Sequence, residues 1–330
     1  MATVREKFRT IRVAAVQMES KLGQTQANLD HATPLVERAA RDGAKIIVLP
    51  ETAASGYSMS HLIWDAAETR HGRIIRWLRD LSGRLGVYVG IGFVEADGED
   101  FFNAYALGAP DGQIAGIVRK TMAETYCFRC AAGSHVIDTE IGKIGIGVCA
   151  DNHFVPMVRL MQAQAVDLML IPHALPGAFK TGGAVSQQDI EQSRQKALRM
   201  APLYAHLLGV PAVFANAAGP RGAEKWAGIL GGLMTTEAFR LLGLSTIADS
   251  DGTIKGEMDE AEGVLVAEVA LDPTRKVRIR PERHGLYGGG WIHPIASPLV
   301  DVICQVDAFF CGMSYTLSSE RRRKARAISS

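Results

Sequence analysis

Three residue types that can share one reaction stand far apart in this chain: Glu51, Lys120 and Cys149. A thiol becomes a nucleophile once a base takes its proton, and a carboxyl group whose proton affinity is raised by burial can be that base. A fixed ammonium can then neutralise the oxyanion that forms when the sulfur attacks a carbonyl. Taken singly, each has a plainer reading. A cysteine is most often a small buried hydrophobe, and glutamate and lysine are most often solvated. The joint placement is what carries weight, because each of the three closes a strand-like run.

Cys149 ends EIGKIGIGVC (140–149), where Ile141, Ile144, Ile146 and Val148 mark a period-two pattern before a helix-like run begins at Met157. A thiol at such a junction is expected to feel a helix N-terminus, which favours thiolate. Glu51 follows KIIVLP (45–50), at the C-terminal end of a buried strand, where α/β sheets gather their chemistry. Lys120 follows GQIAGIV, again a strand running into a loop. Further strand-like runs (VAAVQM, VYVGIGFV, YALGA, LMLIPH, AVFANAA, STIAD, VLVAEVA) alternate with helix-like segments at 27–42 and 69–85. A helix is expected over 187–209, stopped by Gly209. This rhythm predicts one α/β domain over 1–290 and an extension over 291–330.

These stretches resemble the nitrilase, or carbon–nitrogen hydrolase, superfamily, whose hallmark is a Glu–Lys–Cys triad in this chain order. The resemblance rests on IRVAAVQMESKLGQTQANLD, LPETAASGY, FFNAYALGAPDGQIAGIVRK with Asn103, IGIGVCADNHF, VDLMLIPHALP, VPAVFANAAGP and GLSTIADSDGTI, and covers roughly residues 11–275. It implies a four-layer α-β-β-α sandwich, a cysteine thioester intermediate, no cofactor, and a homodimer or higher homo-oligomer with the C-terminal extension at its contacts. The chain departs from the family pattern after the cysteine, where Pro156 is followed by Met157 rather than glutamate. Many members carry a second glutamate after the lysine. Here Glu124 comes early and Cys127 stands near the usual place, so either Glu124 fills that role or the chain manages without it.

Around the triad, the sequence nominates Ala150 as an oxyanion donor through its N–H, and Tyr57, Asn152, His153, His173 and Lys180 as substrate contacts. Trp226 is a further candidate at the pocket mouth. Cys127 and Cys130 form a CFRC pair without a second pair at zinc-finger spacing, so no metal is expected and a place in the pocket lining is. Lys120→Ala is expected to remove turnover and leave folding nearly intact.

The rest of the composition excludes more than it selects. With 330 residues, 47% hydrophobic and 22% charged, the chain can bury a large core without disulfides or metals. A formal net charge of +1 gives no reason for a polyanionic partner such as nucleic acid. No apolar run is long enough for a membrane span, MATVREKFRT has no secretory core, and five cysteines suit a reducing cytoplasm. PLVDVICQVDAFFCGMSY (298–315) is too apolar to hang free and is expected to pack on a neighbouring surface, whereas SERRRKARAISS (319–330) reads as a basic disordered tail. The expected activity is hydrolysis of a non-peptide C–N bond in an amide or N-carbamoyl compound. Alternatives are a true nitrilase, acyl transfer to an amine, or an inactive relative that serves binding or assembly.

Overall fold

Alternating side chains on strands that are buried from both faces organise two six-stranded sheets. The computed structural model describes residues 8–182, 185–234, 237–295 and 298–330. In the first sheet, β1 (Arg9–Gln17) pairs antiparallel with the last strand, β15 (Gly263–Leu271), and parallel with β2 (Ile46–Val48). The sheet continues through β3 (Tyr88–Asp97), β4 (Asp100–Gly108) and β5 (Ile114–Arg119). The second has the order β14-β13-β10-β8-β7-β6, with β6 Val136–Thr139, β7 Gly142–Ile146, β8 Leu168–His173, β10 Ala212–Asn216, β13 Thr246–Ala248 and β14 Ile254–Glu257. A small third sheet joins β9 (Pro176–Ala178), β11 (Ala218–Gly219) and β12 (Phe239–Leu242).

The pleat divides each central strand between two cores. Val13, Ala15, Ile46 and Val48 of the first sheet meet Ile144, Leu168, Leu170 and Val213 of the second in the layer between the sheets. Their neighbours Ala14, Val16 and Ile47 face outward onto α1 (Thr25–Arg41) and α2 (Arg73–Leu85). Met169, Ile171 and Phe214 face the other way, onto α3 (Val155–Gln164) and onto the helix pair α4 (Gln187–Leu198) and α5 (Met200–Leu208). The result is the α-β-β-α sandwich. Double burial is also why these strands read as apolar runs and not as a strict alternation.

Two expectations are corrected. The helix expected over 187–209 is two helices, broken at Arg199, because the Pro202 ring cannot follow the Leu198 carbonyl in one continuous helix. Gly209 does end the second one, in the left-handed conformation with φ +67°. The basic disordered tail is instead a helix, α8 (Ser319–Ser329), started by Ser318, whose hydroxyl accepts from Arg321 N at 3.1 Å. Its charges are used inside the chain. Arg321 pairs with Asp100, Arg326 with Glu99 and Lys324 with Asp65.

Before it, α6 (Gly228–Leu233) and the long α7 (Pro298–Leu317) come together over the C-terminal ends of the strands. Tyr315 of α7 and Ala325 of α8 join Trp64, Phe101, Cys127 and Phe128 in one buried cluster. No helix among the described residues is long and apolar enough to cross a membrane.

Candidate active site

Glu51 sits in the turn after β2 and is fully buried. That turn lies against β3 at Gly92, where any Cβ would run into the backbone at Thr52 N; the position admits only glycine. Lys120 directly follows β5, with its N–H bonded to Asn103 O at 2.8 Å, and its side chain has no exposure at all. Lys120 Nζ donates to Glu51 Oε1 at 2.6 Å and to Glu124 Oε1 at 2.5 Å. Asn103 Nδ2 also bridges the two carboxyl groups, at 2.7 Å to Glu51 Oε1 and 3.4 Å to Glu124 Oε2. Of the two residues the sequence left open, Glu124 is the one bonded to the lysine. It stands four residues after Lys120 in a loop, and the Tyr57 hydroxyl donates to it at 3.3 Å. Cys127 lies instead in the core beneath α7 and α8, and Cys130 is exposed, so neither lines the pocket.

Cys149 opens a 3-10 turn, Cys149–His153, with a left-handed φ of +45°. Such a backbone is costly for a residue with a Cβ and persists only where its surroundings hold it. Here Asn152 does much of the holding: its Nδ2 donates to Gly147 O at 2.6 Å and to Cys149 O at 3.3 Å. Asn152 thus shapes the nucleophile's turn and does not line the pocket. Gly147 is required beside it, since a Cβ there would overlap Asn152 Oδ1. Asp151, to which the sequence assigned no role, clasps two loops together. Its carboxylate accepts from Thr121 N at 3.1 Å, Met122 N at 2.7 Å and Val148 N at 3.2 Å, locking the lysine's loop to the cysteine's. An acid two residues after the cysteine was the only available signal. Ala174 N, also missed, donates to Glu51 Oε2 at 3.0 Å from the end of β8.

Electrostatics overturn the expectation of a helix-stabilised thiolate. The 3-10 turn separates Cys149 from α3, and burial, reinforced by Glu51, pushes the thiol well up; Lys120 only partly opposes this. The resting nucleophile is a thiol that needs a base. Burial raises Glu51 as well, and Glu124 adds to it while Lys120 lowers it. Burial alone would depress Lys120, but the charges of Glu124 and Glu51 outweigh it, and its pKa ends well above the ordinary lysine value. The site thus holds a permanent cation and a carboxyl group with enhanced proton affinity beside a neutral thiol.

A pocket of about 190 Å³ opens off this centre, bordered by Glu124, Ala150 and His153. His153 is held neutral by burial and shares a 2.9 Å hydrogen bond with His293. His173 is buried behind it, with rings 5.4 Å apart, and burial lowers its pKa to about 3. Tyr57 stacks edge-on with Trp226 at 5.4 Å. Lys180 is not at this centre. It is exposed along a separate cavity of about 1560 Å³ between α4, α5 and β12. Among the described residues no group of three or more His, Cys, Asp or Glu side chains could hold a metal ion.

Known proteins resemble this chain in sequence and in fold. An N-carbamoylputrescine amidase of Solanum lycopersicum is 28% identical over 294 residues, 85% of this chain and 91% of that protein. A citrullinase of Francisella tularensis is 30% identical over 177 residues, 50% of this chain and 62% of that protein. A crystal structure of a carbon-nitrogen hydrolase from Helicobacter pylori G27 has the same fold, with a TM-score of 0.69 at 19% identity over 81% of this chain and 91% of its own. The carbon-nitrogen hydrolase family model matches residues 12–279, a span that contains both six-stranded sheets except the first three residues of β1 and all of Glu51, Lys120, Glu124 and Cys149, and the chain belongs to that family.

Proposed function

We propose that this chain hydrolyses the C–N bond of a small amide or N-carbamoyl compound through a thioester on Cys149. The observation that carries this reading is the buried Lys120 ammonium, held 2.6 Å from Glu51 and 2.5 Å from Glu124 beside the strained cysteine turn. Glu51 takes the thiol proton as the sulfur bonds to the carbonyl carbon. The oxyanion is stabilised by Lys120 Nζ and the Ala150 N–H, the latter in the first turn of a helical segment whose N–H groups lack internal partners. Glu51 then returns its proton to nitrogen as the C–N bond breaks and ammonia or an amine leaves. Water attacks the thioester and gives a proton to Glu51. When the C–S bond breaks, that proton goes back to the sulfur.

Glu124 and Asn103 act on this reaction by fixing Lys120 and Glu51 in place. The relatives named above act on N-carbamoylputrescine and citrulline, both carbamoyl compounds, which supports the substrate class. The test is ammonia release from amides, carbamoyl compounds and nitriles, with Cys149→Ala in parallel. Release from amides or carbamoyl compounds that the variant lacks is the expected result. A signal from nitriles alone makes the chain a nitrilase, and silence throughout would sink the hydrolase reading.

The same reading includes a homodimer or higher homo-oligomer. The outer face of α7 exposes Leu299, Val302, Val306, Phe309, Met313 and Leu317, and a helix apolar on both faces is normally covered on both. Light scattering on the purified chain measures it. Five free cysteines fit a reducing cytoplasm as its place of work.

A further inference from the structure

The family match ends at residue 279, yet the catalytic pocket is closed by a helix beyond it. Cys304, Asp307, Ala308 and Cys311, all on the inner face of α7, line the pocket together with Met59, Met122, Phe154, Leu230 and Trp291. Three fastenings hold α7 there. Asp301 accepts from Leu286 N at 3.0 Å, Tyr287 N at 2.9 Å and Trp291 Nε1 at 3.0 Å. Thr125, in the loop of the catalytic lysine, donates its hydroxyl to Ala308 O at 3.3 Å. Asp307 accepts from Ile229 N and Leu230 N, each at 2.9 Å, and so ties α7 to α6.

The charges bordering this pocket are therefore already engaged. Asp307 is occupied by two backbone N–H groups, and Glu124 by Lys120, Asn103 and Tyr57. The Cys304 thiol is pushed up to about 11 by burial and is neutral, as is His153. No Arg or Lys side chain lines the pocket among the described residues. A substrate carboxylate would find only Lys120, already bonded to Glu51 and Glu124, and beyond the lining Lys196, whose Nζ stands 5.8 Å from the centre of the Trp291 ring. A substrate ammonium would find only carboxylates already committed, and desolvating a charge without a partner costs several kcal/mol. The volume, about 190 Å³, is below the roughly 300–1,000 Å³ of pockets for drug-sized ligands.

We propose that α7 is the specificity element of this active site, and that with it the pocket accepts small amides whose non-reacting end is uncharged and apolar. This rests on the hydrolase reading above and narrows it, away from the charged substrates that the names of its relatives describe. Ala308 is the residue whose size sets the depth of the pocket under the helix, and Cys304 stands one turn before it.

The experiment uses the full chain and compares butyramide with two analogues of similar length, the anionic succinamate and the cationic 4-aminobutyramide. Butyramide should exceed both by at least a hundredfold in kcat/KM. Ala308→Leu should cut kcat/KM for butyramide at least tenfold more than for acetamide, and Cys304→Ala should move the ratio the other way. Equal turnover of a charged analogue, or an equal loss on both amides in Ala308→Leu, overturns the proposal.

A second measurement does not depend on turnover. Peptide mass spectrometry follows labelling of Cys149 by methyl methanethiosulfonate and by its sulfonate- and trimethylammonium-bearing analogues, each rate divided by that of the exposed Cys130. The neutral reagent should label Cys149 at least tenfold faster than both. Equal relative rates overturn the pocket assignment even where amides are hydrolysed. A neutral preference with no amide turned over keeps the pocket assignment and removes the hydrolase reading.

Discussion

Under the pocket, Lys120 is bonded to two carboxyl groups, Asn103 bridges them, and Asp151 ties the lysine's loop to the cysteine's by three N–H bonds. Over it, α7 offers a thiol pair, an alanine and an aspartate that is spent on holding α6. The floor comes from loops that follow strands within the family match, whereas the roof lies wholly outside it. Polar groups at the floor fix one geometry, because each is too deeply buried to lose a partner cheaply. The roof contacts the rest of the molecule at a few points and otherwise sets shape and polarity. Chemistry and selectivity are thus carried by separable parts, and substitutions should sort the same way.

The largest effect belongs to Cys149→Ala at the floor. Turnover should fall by a factor on the order of 10⁴ or more, since the pocket's other thiols, Cys304 and Cys311, belong to α7 and not to the turn beside Lys120, and a nucleophile cannot be replaced by binding alone. The melting temperature should hardly move, because alanine keeps the Cβ and removes only the sulfur. An ammonia assay beside a thermal melt measures both. A melting temperature many degrees lower would mean that the sulfur itself holds the turn.

Lys120→Met comes next, and the two carboxyl groups on the ammonium predict a loss of stability that the sequence alone did not lead us to expect. With the ammonium gone, Glu51 and Glu124 face one another in a buried site, and breaking such a pair from one side costs about 3–5 kcal/mol. Loss of an oxyanion donor adds about 3 kcal/mol to the barrier. Adding Glu124→Gln to this variant should restore part of the stability and none of the turnover. Denaturant unfolding of the single and double variants reads the difference, and an unchanged midpoint for Lys120→Met would break the contrast drawn between floor and roof.

What the sequence made legible follows the same division. Glu51, Lys120 and Cys149 could be found because strand ends leave a period-two signature and because their order resembles a family pattern. Glu124 could not be decided from spacing, since only the path of the loop after Lys120 brings a residue four positions on back to the ammonium. The bonds of Asn152 could not be read because its partners are backbone carbonyls around its own turn, which no pattern of side chains announces. Lys180 was placed near the pocket from loop composition alone, and the fold carries it to another cavity. The tail from 319 looked solvated because its charge was visible and its acidic partners, Asp100, Glu99 and Asp65, lie more than two hundred residues away.

Acid should weaken the fold through the histidines behind the floor. His173 titrates at about 3 in the folded chain against 6.5 for the ordinary group, so the unfolded chain binds the extra proton. Its neutral form contributes stability that is complete above about 6.5 and is lost as pH falls toward 3, a loss of roughly 5 kcal/mol by the bottom of that window. Unfolding midpoints measured from pH 7 to pH 4 should decline, and His173→Asn should flatten the decline. An unchanged slope in that variant would remove His173 from the account.

The smallest effect tests the roof itself. Asp301 accepts from Leu286 N, Tyr287 N and Trp291 Nε1, and it touches none of Glu51, Lys120 or Cys149. In Asp301→Asn one acceptor oxygen becomes an NH₂ donor, so at least one of those N–H groups loses its partner, at a cost of about 1–2 kcal/mol. The helix then sits less tightly over Trp291 and the pocket wall. Because the floor is unaltered, kcat for butyramide should stay within about twofold while KM rises, the pattern of an interaction that serves binding equally before and during the chemical step. A fall in kcat at constant KM would instead show that the roof helps to hold the reacting groups in place, and the floor and roof would then have to be treated as one machine.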